Sequence, residues 1–265
     1  MKIGANSRYF LELATVLGFE TLEALVTIPC FYKTISCSSE DNFWRRARSL
    51  QTKGLLTLDN DRDTGKWVSK LTRSGQASID KGINPEAEWN TPWDGQWRLF
   101  AFDLPKDRGT ERQALRKWLK QKRLGKLQGS LWITPKYLSN WTDELADRKI
   151  DPAAAFVLNG KFEGGSEPTD YVATAWDFDQ INERYATHQK FLNQTNPETL
   201  DSKEFPEWFQ KETALWRIAF ETDPFLPREL WPTNSAIDYQ GPQALANRKH
   251  AYNTWKHKLL NSNED

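Results

Sequence analysis

Hydrophobic positions in the middle of the chain change their period between residues 98 and 135. Residues 98–104 are a short, mostly apolar run closed by a proline, a pattern typical of a buried strand. Over residues 110–122 apolar side chains recur at helical spacing, and basic side chains fill the other face. Residues 131–133 form a second apolar run. The pattern predicts a strand–helix–strand unit, with Gly125 ending the helix.

The segments that follow extend this unit. Residues 153–161 and 169–176 have the composition of two further strands, and a helix begins near Trp141. Alternating strands and helices predict a ferredoxin-like α+β domain over residues 96–175. Residues 81–95 are rich in proline, glycine, asparagine and aspartate, so we interpret them as a linker.

The first eighty residues begin with helical patterns. Three amphipathic helices are expected, at residues 7–17, 21–28 and 39–53. In the third, Phe43, Ala47 and Leu50 form the buried stripe, and Gly54 ends the helix.

A hairpin pattern follows the third helix. Residues 55–58 and 66–71 are predicted strands around an acidic loop at residues 59–65. Three helices followed by a two-stranded hairpin are the order of a winged helix-turn-helix, which we predict for residues 1–80.

The third helix of such a domain enters the major groove of DNA, and the hairpin reaches the neighbouring backbone. The side chains predicted to contact DNA are Ser39, Asn42, Arg45, Arg46, Arg48, Ser49 and Lys53 on the helix, and Arg62 and Lys66 on the hairpin. The aspartates of the loop oppose close approach to phosphate. A basic helix face is also an ordinary solvated face, and winged helices also bind proteins, so a protein-binding scaffold is an alternative.

Residues 176–265 are predicted to be an α-helical domain. Helices are expected at residues 176–192, 205–220 and 243–260, with a proline-framed connection at 223–232. The aromatic density of this region fits either internal packing with a dimer interface or an apolar effector pocket.

Composition adds modest constraints. The 265 residues include 36 basic and 36 acidic side chains, so the formal net charge is zero. Basic residues are concentrated at 45–53 and 106–126, which is compatible with one face meeting phosphates. No apolar run approaches the roughly 20 residues of a membrane span, and the first ten residues lack signal-peptide features. A cytoplasmic location is therefore expected, with Cys30 and Cys37 as reduced thiols.

Candidate catalytic residues are few. Asp103 ends a predicted strand and could hold a metal ion, which makes a metal-dependent nuclease the alternative from the enzyme class. Such chemistry needs several oxygen ligands, and only Asp107 is close in sequence. The histidines His188, His250 and His257 lack a zinc-binding pattern and are expected at the surface or half-buried. We predict no catalytic residue, metal site or cofactor.

Taken in order, these segments resemble the PaaX family, the phenylacetic-acid-degradation operon repressors of bacteria. The matching stretches are residues 95–105 with Arg112 and Arg116, residues 127–135 (LQGSLWITP), residues 175–177 with Tyr185, and residues 223–232 (DPFLPRELWP). The resemblance covers nearly the whole chain. It implies a winged helix, a middle domain similar to the small ferredoxin-like subunit of CRISPR adaptation, and an α-helical C-terminal domain.

The resemblance also implies a function. It indicates a homodimeric repressor whose affinity for operator DNA falls when an acyl-coenzyme A effector binds. The basic helix of the middle domain would present four outward cations to an anionic effector or to further phosphates: Arg112, Arg116, Lys120 and Arg123. The expected function is that of a bacterial DNA-binding transcriptional regulator.

Overall fold

The computed structural model describes residues 4–17, 39–60, 67–80, 82–164, 166–195, 199–201, 203–232 and 238–261. The predicted helix at 21–28, both cysteines, Arg62 and Lys66 lie outside these ranges. The chain divides into two compact units. The first unit comprises Met1–Asn84, Tyr185–Arg217 and Pro242–Asp265, and the second comprises Pro85–Arg184 and Ile218–Gly241.

The elements are numbered here along the described chain. The helices are α1 (Ala5–Leu17), α2 (Glu40–Thr52), α3 (Arg73–Asp80), α4 (Pro85–Asn90), α5 (Gly109–Gln121), α6 (Trp141–Ala146), α7 (Pro168–Ala175), α8 (Phe178–Gln194), α9 (Phe205–Thr222) and α10 (Gly241–Asn261). The strands are β1 (Leu56–Asn60), β2 (Trp67–Leu71), β3 (Trp97–Phe102), β4 (Gly125–Gln128), β5 (Leu131–Thr134) and β6 (Ala155–Gly160). Short 3₁₀ helices lie at Pro152–Ala154 and Arg228–Leu230.

The second unit is built around a four-stranded sheet in the order β4-β5-β3-β6. All neighbouring strands in it are antiparallel. Helix α5 connects β3 to β4 and helix α6 connects β5 to β6, which is the split βαβ arrangement of a ferredoxin-like domain. The predicted ferredoxin-like centre is therefore confirmed. One face of the sheet packs on α5 and α6 through Phe100, Trp118 and Leu145.

One predicted strand is wrong, and one strand of the sheet was not predicted. The predicted strand at residues 169–176 is helix α7, which starts with Pro168 at its first turn and has Asp170 Oδ2 accepting a hydrogen bond from Glu167 N over 2.9 Å. The missing strand is β4, only four residues long and irregular between Lys126 and Gln128.

The end of α5 also differs from the prediction. The helix ends at Gln121, and Arg123 takes the left-handed backbone conformation with φ 63°. Gly125 lies in β4 instead, where a Cβ atom would come within 2.6 Å of the Trp176 ring. Close packing, and not helix termination, accounts for this glycine.

The core of the first unit combines residues that are far apart in sequence. Phe10 and Phe43 belong to the same buried cluster as Phe205, Tyr252 and Trp255. Rings from α9 and α10 stack in it, since the centroids of Phe205 and Trp255 lie 3.5 Å apart. Helices α1 and α2 are thus stabilised by side chains from the C-terminal third of the chain.

The stretch interpreted as a linker contains helix α4, which packs within the second unit. Trp89 is buried, and its Nε1 donates a hydrogen bond to Tyr239 Oη over 3.1 Å. No helix within the described ranges is long and apolar enough to cross a membrane.

Candidate nucleic-acid interface

Helix α2 is anchored in the first unit by a single apolar face. Phe43, Ala47 and Leu50 are buried at i, i+4 and i+7, as the sequence predicts. The helix begins after Ser39, whose Oγ accepts a hydrogen bond from Asn42 N over 3.4 Å. It ends before Gly54, which has φ +67° and whose N–H donates to Gln51 O over 2.8 Å.

The opposite face of α2 carries the predicted DNA-contacting side chains. Residues 42, 45, 48 and 49 fall on one stripe because each residue turns the helix by about 100°. Arg45, Arg48 and Ser49 are exposed, and Asn42 is half-buried. Arg46 lies to one side of the stripe and is half-buried, and Lys53 is exposed just beyond the last turn.

Arg45 and Asn42 also interact with each other. An Arg45 Nη2 group donates a hydrogen bond to Asn42 Oδ1, three residues earlier on the same face. This contact links the two polar side chains along the stripe.

The hairpin follows α2 closely and is held to it. Strands β1 and β2 are antiparallel, with Leu56 opposite Leu71. Gln51 Nε2, at the end of α2, donates to Leu58 O over 3.3 Å. Lys70 is an exposed cation on this hairpin, opposite Thr57, that the sequence analysis did not single out. Nothing in the sequence distinguishes Lys70 from an ordinary surface lysine, and only the pairing of β1 with β2 places it on this hairpin.

A buried carboxylate on α1 connects the N-terminal helices to α9. Glu12 on α1 accepts hydrogen bonds from Arg217 Nη2 over 2.8 and 3.0 Å and from Arg8 Nε over 3.0 Å. Arg8 also donates to Ile79 O over 2.8 Å. One carboxylate therefore connects α1 to α9 and, through Arg8, to α3.

In the second unit, the four predicted effector residues do not share one surface. Arg116 and Lys120 are exposed on α5, one turn apart. Arg112 is half-buried, and its Nη2 donates to Leu104 O and Pro105 O over 2.8 and 2.6 Å. Arg112 thereby fixes the loop between β3 and α5.

Arg123 is buried, which contradicts the expectation that it points outward. Its Nη1 donates to Phe220 O over 2.8 Å and to Asp223 O. The guanidinium carbon lies 4.6 Å from the Phe225 ring centroid and 5.3 Å from that of Phe220. A cation bound to the carbonyls at the end of α9 suits the negative end of the helix dipole.

Candidate metal ligands are dispersed. Asp103 and Asp107 are both exposed. Among the residues that the structure describes, no three histidine, cysteine, aspartate or glutamate side chains are grouped to hold a metal ion. His188 departs from the sequence expectation because it is fully buried, with Nε2 2.7 Å from Glu212 Oε1, whereas His250 and His257 are exposed.

Comparison with known proteins identifies the second unit's sheet domain. Residues 90–172 match the family model described as the PaaX protein central Cas2-like domain. The uncharacterized protein Rv0674 from Mycobacterium tuberculosis has a similar structure, with a TM-score of 0.54, 18% sequence identity and 95% of each chain covered. No curated protein matches this sequence.

The ferredoxin-like topology and this match define a protein with a Cas2-like domain. The predicted resemblance is confirmed at the central domain: residues 90–172 match the central Cas2-like domain of PaaX proteins. This PaaX-like match indicates transcription regulation as the class of function.

Proposed function

We propose that this protein is a dimeric transcriptional repressor that binds operator DNA through helix α2. One observation carries the proposal: Arg45 and Arg48 project from a helix whose opposite face is fixed in the core by Phe43, Ala47 and Leu50. Such a helix can enter a groove without losing its packing. The match of residues 90–172 to the PaaX central domain supports the same class of function.

The stripe on α2 contains the chemistry needed to read base edges. Arginine forms bidentate hydrogen bonds with guanine, and asparagine does so with adenine, in a major groove about 12 Å wide. Arg45, Arg48 and Asn42 would read bases, Ser49 would contact a base or a phosphate, and Ser39 would keep the helix start in place. Lys53, and Arg46 at the side of the stripe, would contact phosphates. Two copies would place their helices in half-sites about 34–36 Å apart, or a multiple of that distance.

A second cationic surface lies on α5. Arg116 and Lys120 would bind an anion there, either DNA phosphate or an anionic effector such as an acyl-coenzyme A thioester. Effector binding would lower operator affinity. Arg112 and Arg123 would act indirectly, because their guanidinium groups already bind backbone carbonyl groups.

The test is a binding titration of the full chain with labelled DNA from upstream of its own gene. Fluorescence anisotropy measures the binding. The R45A/R48A variant should bind at least about 30-fold more weakly, because each of the two base contacts contributes about 1–3 kcal/mol. The matched control is K190A/K203A, which removes two exposed cations of the same unit that belong to other segments, Lys190 on α8 and Lys203 just before α9. Equal weakening in both variants, or unchanged binding by R45A/R48A, would refute the placement.

A further inference from the structure

The two edges of the four-stranded sheet are protected very differently. Strand β4 is short, irregular and carries Lys126, and helix α7 packs against it at Gly125. Strand β6 has six residues (AFVLNG) in unbroken register with β3, and none of them is charged or proline. Natural sheets usually protect an edge with a charge, a proline, a bulge or a covering element. Strand β6 has no charge, no proline and no bulge.

The register shows which backbone groups of β6 face outward. Asp103 N donates to Ala154 O over 2.9 Å, just beyond the pair formed by Phe102 and Ala155. Antiparallel pairs alternate between hydrogen-bonded and non-hydrogen-bonded. Phe156 and Leu158 therefore bond to β3, whereas Val157 and Asn159 direct their N–H and C=O groups to the free edge. Within the described ranges, no other backbone group bonds to Val157 or Asn159.

The side chains beside this edge form an apolar patch. Phe156 and Leu158 are 55% and 57% exposed, and they lie on the sheet face opposite α5 and α6. Across the ladder they neighbour Ala101 and Leu99 on β3, so the patch continues over two strands. This face of β3 and β6 carries no charged side chain. Nucleic acids require cations for binding, so an uncharged face fits a protein partner.

We propose that β6 pairs antiparallel with β6 of a second copy of this chain, about a two-fold axis at Val157. In this register the two Val157 residues form a hydrogen-bonded pair through their outward backbone groups. Phe156 lies opposite Leu158 of the second copy, in the pair type with the closest side chains. Both exposed apolar side chains of each copy gain a partner, and the uncharged strands do not repel each other.

This pairing limits the assembly to two copies. The same strand serves both copies, so the contact is isologous and ends at a dimer with an eight-stranded sheet. Pairing of β6 with β4 of another copy would continue into a polymer, and the bulge and Lys126 of β4 disfavour it. The inference rests on the dimer of the proposed function and names its interface.

The first test measures molar mass by light scattering after size exclusion at micromolar concentration. Wild type should be a dimer, and L158K should raise the dimer dissociation constant by roughly 100-fold or more because it places an ammonium group opposite Phe156. The control is Y137K, at an exposed apolar position of the same unit outside the strands. A monomeric wild type, or a dimer equally stable in L158K, would overturn the interface.

The second test checks the register. The F156E and L158K variants should each form a weaker homodimer than wild type. When the two are mixed they should form a heterodimer, because the carboxylate introduced in one copy then faces the ammonium group introduced in the other. Failure to recover a dimer from two folded variants would overturn the register. If either variant loses its circular dichroism spectrum, hydrogen exchange of wild type decides: the Val157 amide should gain protection as protein concentration rises, and concentration-independent exchange would count against the pairing.

These results are separable from the regulator hypothesis. If L158K dissociates while retaining binding to a single half-site, both proposals stand. A dimer that L158K dissociates, in a protein that binds no DNA, would support the interface and remove the regulator. A wild-type monomer that binds DNA would remove the interface and the dimeric state, and would support operator binding alone.

Discussion

Glu212 and Arg248 form an ion pair inside the first unit, with Glu212 Oε1 2.7 Å from Arg248 Nε. His188 Nε2 lies 2.7 Å from the same oxygen, and the Tyr252 hydroxyl donates to Oε2. Burial alone would raise the pKa of the Glu212 carboxyl, but Arg248 and His188 outweigh it and lower that pKa to about 2. One carboxylate thus holds α8, α9 and α10 together.

Removing this carboxylate should destabilise the first unit strongly. In E212Q the partly buried Arg248 guanidinium is left beside a neutral amide in place of its fully buried anion, and breaking such a pair typically costs about 3–5 kcal/mol in free energy of unfolding. Urea denaturation would measure the loss. E207Q is the control, since Glu207 is exposed on the same helix and its variant should change the free energy by less than about 0.5 kcal/mol.

The same carboxylate gives stability a defined pH dependence. The folded pKa of Glu212 lies below its ordinary value of 4.5, so its contribution is complete above about pH 4.5 and is lost as the pH falls towards 2. The free energy of unfolding of wild type should therefore drop more steeply than that of E212Q across this window. Parallel curves for the two proteins would contradict the assigned pKa.

The sequence predicted the parts of the fold that depend on local periodicity. The stripe of Phe43, Ala47 and Leu50 needed only helical spacing, and the ferredoxin-like centre needed only the order of strands and helices. Residues 169–176 were misassigned because aromatic and β-branched residues there resemble a strand, while the helix is started by Pro168 and Asp170.

The errors at the candidate sites have a common origin in long-range contacts. Arg123 was placed outward because it continues a basic helix, yet its partner Phe220 lies 97 residues away. His188 was expected near the surface, yet its partner Glu212 lies 24 residues away on another helix. No local pattern encodes a partner of this kind. The exposed stripe on α2 could be predicted because its exposure follows from the buried face of the same helix.

The different environments of the basic residues around α5 predict different phenotypes. R123A should lower the free energy of unfolding by about 2–4 kcal/mol, because buried carbonyls at the end of α9 lose their charged donor. R116A/K120A should leave it within about 0.5 kcal/mol, because both side chains are exposed. Thermal unfolding of both variants separates these roles, and equal stability would show that Arg123 is not holding α9.

Contacts to phosphate and to bases should separate in the salt dependence of DNA binding. K53A should weaken binding to all sequences alike and reduce the slope of log K against log salt by about 1. R45A should instead relax the preference at one base pair of the operator, with a cost of about 1–3 kcal/mol. Anisotropy titrations at several salt concentrations, with matched and single-mismatch DNA, would measure both. A base-specific effect of K53A would reverse the assigned roles.

Gly75 offers a test of how α3 packs against the start of the hairpin. A Cβ atom at this position would lie 1.9 Å from Leu55 O, and 2.7 Å from Leu71 Cδ2. The first neighbour is backbone and cannot rotate away, so G75A should cost about 1–3 kcal/mol or more despite the better helix propensity of alanine. G4A is the control in the same unit, because nothing lies within 4 Å of a Cβ there. Chemical denaturation should show a loss for G75A and almost none for G4A, and a stabilised G75A would mean that α3 does not approach Leu55 as closely as described.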